Sequence, residues 1–451
     1  MSRNTFHTVQ LDKDKCVGCT NCIMRCPTSA IRVRDGKARI DQDLCVNCGE
    51  CVRICEHHAK IPVYDPLSRM NDFEYKVALP APSLYGQFSN LYDSNIVLTA
   101  LKKMGFDMVY EVSRAAEIVT AIARKYLEDH PDVKPLISTA CPSIEKLIQI
   151  RYPSLIEYLI PIQPPVEVAA EIARKKAVEE SGLTPDKIGI FFISPCPAKV
   201  SACAQPTGVK KTEVDAVLAI KDVYVKLLPY MKECANFPED IADSGKIGVG
   251  WGMSGGEAKG VLDELYLAAD GIENCIRVLN EIEDRKFSRL RFAELNACSG
   301  GCVGGVLTVA NPYVARSRME YLCKHMKSSQ LDLPEDGFGM WTETVEYDPV
   351  ISLGDNYKEK IKRMAQVERL TEMFPGLDCG SCGAPTCRSL AEDIARGVAK
   401  ETDCIHILMK RLHNEIGVLI GMAGKDFVIP GKPDDGAAAD TEEKEEKEEK
   451  E

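Results

Sequence analysis

The chain has 451 residues, 45% of them apolar, a net charge of −12 and 20 cysteines. Its length is about three average domains, its cysteine share falls short of the roughly 8% that marks disulfide-stapled mini-proteins, and its apolar content is ample for a core. No run of about 18 uncharged apolar residues is present to span a membrane, and no clustered basic stripe suits nucleic acid.

The first sixteen residues carry no apolar signal-peptide core, so a cytoplasmic location is expected. There disulfides are rare, and thiols are metal ligands or small buried groups. Eight cysteines precede residue 56, in an internal repeat: Cys16, Cys19, Cys22 and Cys26, then Cys45, Cys48, Cys51 and Cys55. Each half reads C-x2-C-x2-C-x3-C, the run of bacterial two-cluster ferredoxins, whose fourth cysteine ligates the other cluster. One 4Fe-4S cubane is therefore assigned to Cys16, Cys19, Cys22 and Cys55, the other to Cys45, Cys48, Cys51 and Cys26. Zinc knuckles are the alternative, but zinc sites separate two C-x2-C pairs by a longer spacer and do not repeat a four-cysteine run. A two-cluster ferredoxin-like domain is expected over 1–65.

Residues 66–355 alternate strand-like and helical patterns. Strands are predicted at 76–80, 108–112, 135–139, 188–194, 247–251 and 290–295, with helical spacing at 166–173 and 257–269. The alternation predicts an α/β domain with mainly parallel sheets. Cys141, Cys196 and Cys298 stand directly after three of these strands, with Cys302 four residues beyond the last. In open α/β sheets, ligands sit beyond the carboxyl ends of strands. A lone cysteine there is more often a core residue, but Pro142, Pro195, Pro197 and the glycines of Cys298-Ser-Gly-Gly-Cys302-Val-Gly-Gly305 supply the fixed turns and close backbone approach that a cofactor needs. These four thiols are candidates for a third cubane.

Over 356–431, Cys379, Cys382, Cys387 and Cys404 form C-x2-C-x4-C-x16-C around a helix-patterned stretch at 388–401. Both a 4Fe-4S cubane and a zinc ribbon satisfy that spacing. His406 and His413 are expected to face solvent, and Cys203, Cys234, Cys275 and Cys323 to be buried apolar groups. Residues 432–451 hold ten carboxylates and four lysines, half of the net charge, and are expected to form a disordered acidic tail.

The three central loops resemble the signature loops of FeFe-hydrogenases. The family's T-S-C-C-P appears as Ser138-Thr139-Ala140-Cys141-Pro142. Its M-P-C-x-x-K-x-x-E appears as Ser194-Pro195-Cys196-Pro197-Ala198-Lys199-Val200-Ser201-Ala202. Its E-x-M-x-C-x-x-G-C-x-x-G-G appears as Glu294-Leu-Asn296-Ala-Cys298-Ser-Gly-Gly301-Cys302-Val-Gly-Gly305. The resemblance implies a two-lobed α/β hydrogenase domain and an H-cluster: a cubane on Cys141, Cys196, Cys298 and Cys302, bridged through Cys302 to a two-iron subsite with CO, cyanide and a dithiolate bearing a bridgehead amine. Three auxiliary 4Fe-4S clusters would accompany it. Lys199 matches the family lysine that contacts one cyanide, and Pro82 and Ser83 the segment that donates to the other. The implied reaction is H2 ⇌ 2H+ + 2e−, in an anaerobic setting, with ferredoxin or another redox protein as partner.

Departures from the family carry information as well. The proton-relay cysteine is Ala140, the glutamate closing the second loop is Ala202, and the family's acidic stretch falls near Ala121-Ile122-Ala123, so that relay is expected to be dismantled. Together with the C-terminal cubane motif, this is similar to a divergent, sensory group of the family. A slow hydrogen sensor signalling through a separate chain is the reading. The alternatives are a ferredoxin-linked hydrogenase with another proton route, and an electron-transfer protein lacking the two-iron subsite.

Overall fold

The computed structural model describes residues 6–131, 135–262, 264–350, 353–354 and 356–423; the acidic tail at 432–451 lies outside them. At the N-terminus, β1 (Val9–Leu11), β2 (Ile31–Arg34), β3 (Lys37–Ile40) and β4 (Lys60–Pro62) pair antiparallel as β1 with β4 and β2 with β3. Short helices, Asn21–Met24 and Glu50–Arg53, occupy equivalent places in the two cysteine runs, each entered from a left-handed residue, Thr20 and Gly49. The apolar core here is little more than Val9, Ile23, Ile31, Ala38 and Ala59, shared with the thiols of Cys16, Cys22 and Cys51. A core so small ordinarily depends on metal or disulfide staples.

Seven strands follow: β5 (Tyr75–Pro80), β6 (Met108–Val109), β7 (Leu136–Ile137), β8 (Ile188–Ser194), β9 (Ala216–Ala219), β10 (Tyr266–Asp270) and β11 (Phe292–Asn296). They form two sheets, ordered β6-β5-β8-β9 and β10-β11-β7, with every pairing parallel. All seven residues of β8 are buried, which is why it reads as a continuous apolar run: helices cover both faces of a parallel sheet. The expected α/β class and two-lobed arrangement are thus present.

Several local expectations are corrected. Residues 247–251 are not a strand; the helix Lys246–Gly250 stands there. Ser329 Oγ accepts from Ile247 N at 2.8 Å, and a Cβ on Gly248 would meet Ser113 O at 2.0 Å, so close packing on the helix Val112–Asp129 decides the conformation. The pattern at 257–269 splits into the helix Gly256–Val261 and strand β10, because β10 finds its partner in β11, a long-range contact that periodicity cannot register. The strand expected at 108–112 stops at Val109. Glu111 then turns the chain into the next helix while its carboxylate accepts from Tyr85 Oη, Asp243 N and Ser244 N at 2.7, 2.7 and 3.0 Å. Strand β9 was not expected.

The C-terminal part is helical, with Tyr357–Met373, Cys387–Ala395 and Ile405–Ala423. It packs on the N-terminal part: Val33 N donates to Gly383 O at 2.8 Å, and Arg34 Nη1 donates to Cys382 O. Asp393, its side chain only 5% exposed, accepts from Arg32 (Nε 2.7 Å, Nη2 3.2 Å), Arg34 (3.1 Å) and Arg396 (3.1 Å). Among the described residues no helix is long and apolar enough to cross a membrane.

Candidate active site and cluster sites

Both sheets direct their carboxyl ends at one cavity. From the first sheet, β5 leads into Pro82 and Ser83, and β8 leads into Cys196 and Lys199; from the second, β7 leads into Cys141 and β11 into Cys298 and Cys302. Cys141 and Cys196 are the N-cap residues of the helices Pro142–Arg151 and Pro197–Ala204, where the positive helix end favours an anionic occupant. The third loop closes tightly: Gly301 has φ 90°, and a Cβ on it would lie 2.4 Å from Ser254 N, so only glycine lets Cys302 turn into the cavity.

The electrostatics bring the four thiols together. Burial raises Cys196, Cys298 and Cys302, the last to about 12; each is raised further by neighbouring thiols of the set, while Lys199 opposes the rise at Cys196 and Cys302. A metal bound here would have to displace these protons, since its ligands are thiolates. Lys199 is half-buried. Burial pushes its pKa down, but Cys302, Cys196 and Cys141 more than reverse that, and the ammonium stays charged with Ala140 O as acceptor at 3.1 Å. In the same cavity, Ser83 Oγ is buried with no hydrogen-bond partner. An orphaned donor and a cation lining the same cavity suit a bound group bearing anionic acceptor ligands.

The N-terminal thiols lie close enough to one another to interact electrostatically. Cys22 is raised by burial and then by Cys19, Cys16 and Cys55. Cys45 (to about 12), Cys48 and Cys51 are raised by burial and all feel Cys26. Amides donate to three of these sulfurs: Ala38 N to Cys16 at 3.4 Å, Ala30 N to Cys26 at 3.2 Å and Ala59 N to Cys55 at 3.3 Å, the last two at equivalent points of the repeat. The second set abuts the cavity loops. Asn47 Nδ2 donates to Ser201 Oγ at 3.2 Å, Thr8 Oγ1 to Pro197 O at 2.9 Å, and Arg53 Nη2 to Gly304 O at 2.7 Å. Gly49 is pressed so near that a Cβ would meet Val306 Cγ2 at 2.7 Å.

In the C-terminal part, Cys404 raises Cys382 after burial. Cys379 is exposed and lowered to about 7, by hydrogen bonds from Ser381 and then from His406. His406 therefore does more than face solvent: its Nε2 lies 3.9 Å from Cys379 Sγ. His413 is exposed as expected. Of the four leftover thiols, Cys203, Cys234 and Cys275 are buried and Cys323 is half-buried.

Comparison with known proteins agrees with this order of parts. A model described as "Iron only hydrogenase large subunit, C-terminal domain" matches residues 74–266, a 4Fe-4S dicluster domain matches 8–56 and an Fe-S cluster family matches 374–406. The chain is 25% identical over 365 residues to the periplasmic Fe hydrogenase large subunit of Nitratidesulfovibrio vulgaris, a match covering 66% of this chain and 86% of that protein. Residues 74–266 belong with the iron-only hydrogenase large-subunit domain. The chain is also 25% identical over 190 residues to the NADP-reducing hydrogenase subunit HndD of Solidesulfovibrio fructosivorans, 38% of this chain and 32% of the relative. Among solved structures, the FeFe-hydrogenase HydA1 of Chlamydomonas reinhardtii aligns at 16% identity with a TM-score of 0.42, over 55% of this chain and 83% of that one.

The acidic groups of this chain do not stand where the acidic stretch of the FeFe-hydrogenase motifs falls. Ala121, Ile122 and Ala123 are buried and apolar, yet two carboxylates that sequence reasoning passed over, Glu257 and Glu294, line the cavity. Ser138 Oγ donates to Glu257 Oε2 at 2.6 Å and accepts from Ala140 N at 3.2 Å. Glu294 accepts from Gly255 N (2.9 Å), Ala258 N (2.8 Å) and Asn296 Nδ2 (2.7 Å). Burial and then the Glu294 carboxyl push Glu257 up to about 8; Glu294 is raised by burial and held back by its donors. The only sequence signal was the Glu opening the third loop; Glu257 has no counterpart in the quoted motifs.

Two further buried carboxyls, Glu145 and Glu167, are each raised by burial to about 7. A folded pKa above the ordinary 4.5 means that the folded chain holds protons which the unfolded chain has released. Stability is therefore full below about pH 4.5 and falls as pH rises towards 7, at most about 1.4 kcal/mol per pH unit per group. Glu167→Gln, which keeps an acceptor for Thr212, is expected to flatten this decline in denaturant unfolding measured from pH 5 to 7; an unchanged slope contradicts it.

Proposed function

We propose that this hydrogenase-type iron-sulfur protein binds an H-cluster between the two sheets and interconverts H2 with protons and electrons, slowly and in a sensory role. The observation that carries the reading is that the half-buried Lys199 ammonium and the partnerless Ser83 hydroxyl line one cavity with Cys302. When bound, the two-iron subsite supplies the site of heterolytic H2 cleavage, with its bridgehead amine as base. The chain's own part is to hold it. Cys141, Cys196, Cys298 and Cys302 anchor the cubane, Lys199 pairs with an anionic ligand, Pro82 and Ser83 bind the other side, and apolar walls of Val112, Ala116 and Phe192 exclude water. Glu257, raised by burial and by the neighbouring Glu294, holds a proton, and Ser138 orients it beside Ala140, the place where the family's relay cysteine is missing.

Electrons would leave through Cys45, Cys48, Cys51 and Cys26, which lie against the cavity loops, and then through the set of Cys16, Cys19, Cys22 and Cys55. The C-terminal set of Cys379, Cys382, Cys387 and Cys404 extends this line and does not open a second branch, since a Cβ on Gly380 would already touch Met24 Sδ at 2.8 Å, beside Cys22. Cubanes rather than zinc are favoured throughout. The matches of residues 8–56 to a 4Fe-4S dicluster domain and of 374–406 to an Fe-S cluster family support them. None of the twenty cysteines is in a disulfide, in keeping with a cytoplasmic, reducing setting. The electron partner is ferredoxin or another one-electron protein, and the output passes to a separate signalling chain.

A second reading, a ferredoxin-linked hydrogenase with its own proton route, draws on the Ser138 to Glu257 contact. Infrared spectroscopy of protein matured with the two-iron subsite should show CO and cyanide bands. Their absence would leave an electron-transfer protein, and turnover equal to that of relay-competent relatives would overturn the slow, sensory part.

A further inference from the structure

Lys60 opens β4 in the N-terminal part, paired with Leu11 of β1. The residue is 4% exposed, and its Nζ is buried without a hydrogen-bond partner. Its backbone neighbour Ala59 donates N–H to Cys55 Sγ at 3.3 Å. The Lys60 charge acts on thiols of both sets, lowering Cys22 of one and Cys45 and Cys51 of the other, against the larger effect of burial. His7, whose Nε2 is likewise buried and unpartnered, is lowered by burial and then by the same ammonium. An ammonium removed from water and left unpaired costs several kcal/mol unless an anion faces it, and among the described residues no carboxylate bonds to this one.

We propose that Lys60 is the shared counter-ion of the two N-terminal cubanes and raises the reduction potentials of both. The proposal rests on the reading that these eight cysteines hold cubanes. Each cubane with four thiolates carries roughly −2 when oxidised and one charge more when reduced. A fixed cation in a low-dielectric interior favours the more negative form of each, so both clusters accept electrons more readily than their thiolates alone would allow. One residue thereby keeps two potentials in step, and a line of clusters passes electrons best when no member is a deep trap.

The test is an EPR-monitored redox titration of the full chain carrying its cubanes but not the two-iron subsite, comparing wild type with Lys60→Met and Lys60→Arg. Lys60→Met should weaken the electron affinity of both N-terminal cubanes at least tenfold, which is 59 mV for one electron. Lys60→Arg should stay within that margin, and the C-terminal cluster should not move. Unchanged potentials in Lys60→Met, or a shift confined to one N-terminal cubane, would overturn the shared role; an equal shift at all three clusters would point to a global disturbance and also overturn it. If Lys60→Met fails to load iron, Lys60→Gln gives the same comparison. Wild-type protein with no N-terminal cubane signals would sink the cluster assignment itself, a different failure from clusters that ignore Lys60.

Discussion

Glu257→Gln is expected to lower H2 turnover of the matured protein by about 10²- to 10⁴-fold, the range in which a positioned proton donor contributes. Glutamine fills the same space and can still accept from Ser138 Oγ, now 2.6 Å from the carboxylate, but it cannot carry a proton. The infrared bands of the bound cofactor should persist, which separates loss of proton delivery from loss of the site. Glu257→Asp should recover part of the rate if proton transfer is the function removed. Turnover of Glu257→Gln within twofold of wild type would show that protons arrive elsewhere, and the carboxyl pair would then be only a buried structural contact.

The second large effect concerns the junction of the N- and C-terminal parts. Asp393→Ala removes the one carboxylate shared by Arg32, Arg34 and Arg396. Breaking a buried ion pair from one side costs about 3–5 kcal/mol. Because these guanidinium groups are 16–27% exposed, water relieves them partly, and the lower end, about 3 kcal/mol, is expected. The loss should fall on the docking of the C-terminal part, and so appear as faster proteolysis in the helix Tyr357–Met373 while the parallel sheets keep their melting point. Asp393→Asn should cost less. A proteolysis rate unchanged in Asp393→Ala would mean that the backbone bond from Val33 to Gly383 and the apolar contacts at Met24 hold the junction alone.

These two predictions also mark what the sequence disclosed and what it withheld. The N-terminal thiol sets were legible because a cluster imposes its spacing locally: C-x2-C-x2-C wraps one cofactor, and the repeat announces the second. The strand-end loops were legible for a similar reason, since Cys196 must follow β8 closely to stand at the mouth of a parallel sheet. Glu257 and Asp393 were not legible. Each owes its role to partners brought together by folding, 119 residues away for Ser138 and 361 for Arg32, and nothing in the flanking residues announces such a meeting. The segment 257–269 shows the same limit in backbone form: its apolar spacing suits a helix, but hydrogen bonding to β11 is worth more to residues 266–270 than continuing the turn.

The placing of the cavity between two separate sheets has a mechanical consequence. Cys196 comes from one sheet, whereas Cys141, Cys298 and Cys302 come from the other. A cubane held by all four is then a cross-link between lobes, closing chain segments of 54 and 101 residues between successive ligands. Like any tie across a long loop, it restricts the unfolded chain and clamps the folded one. The lobes should breathe before the cubane is installed and lock afterwards, so insertion of the metal would itself be the last folding step of the domain.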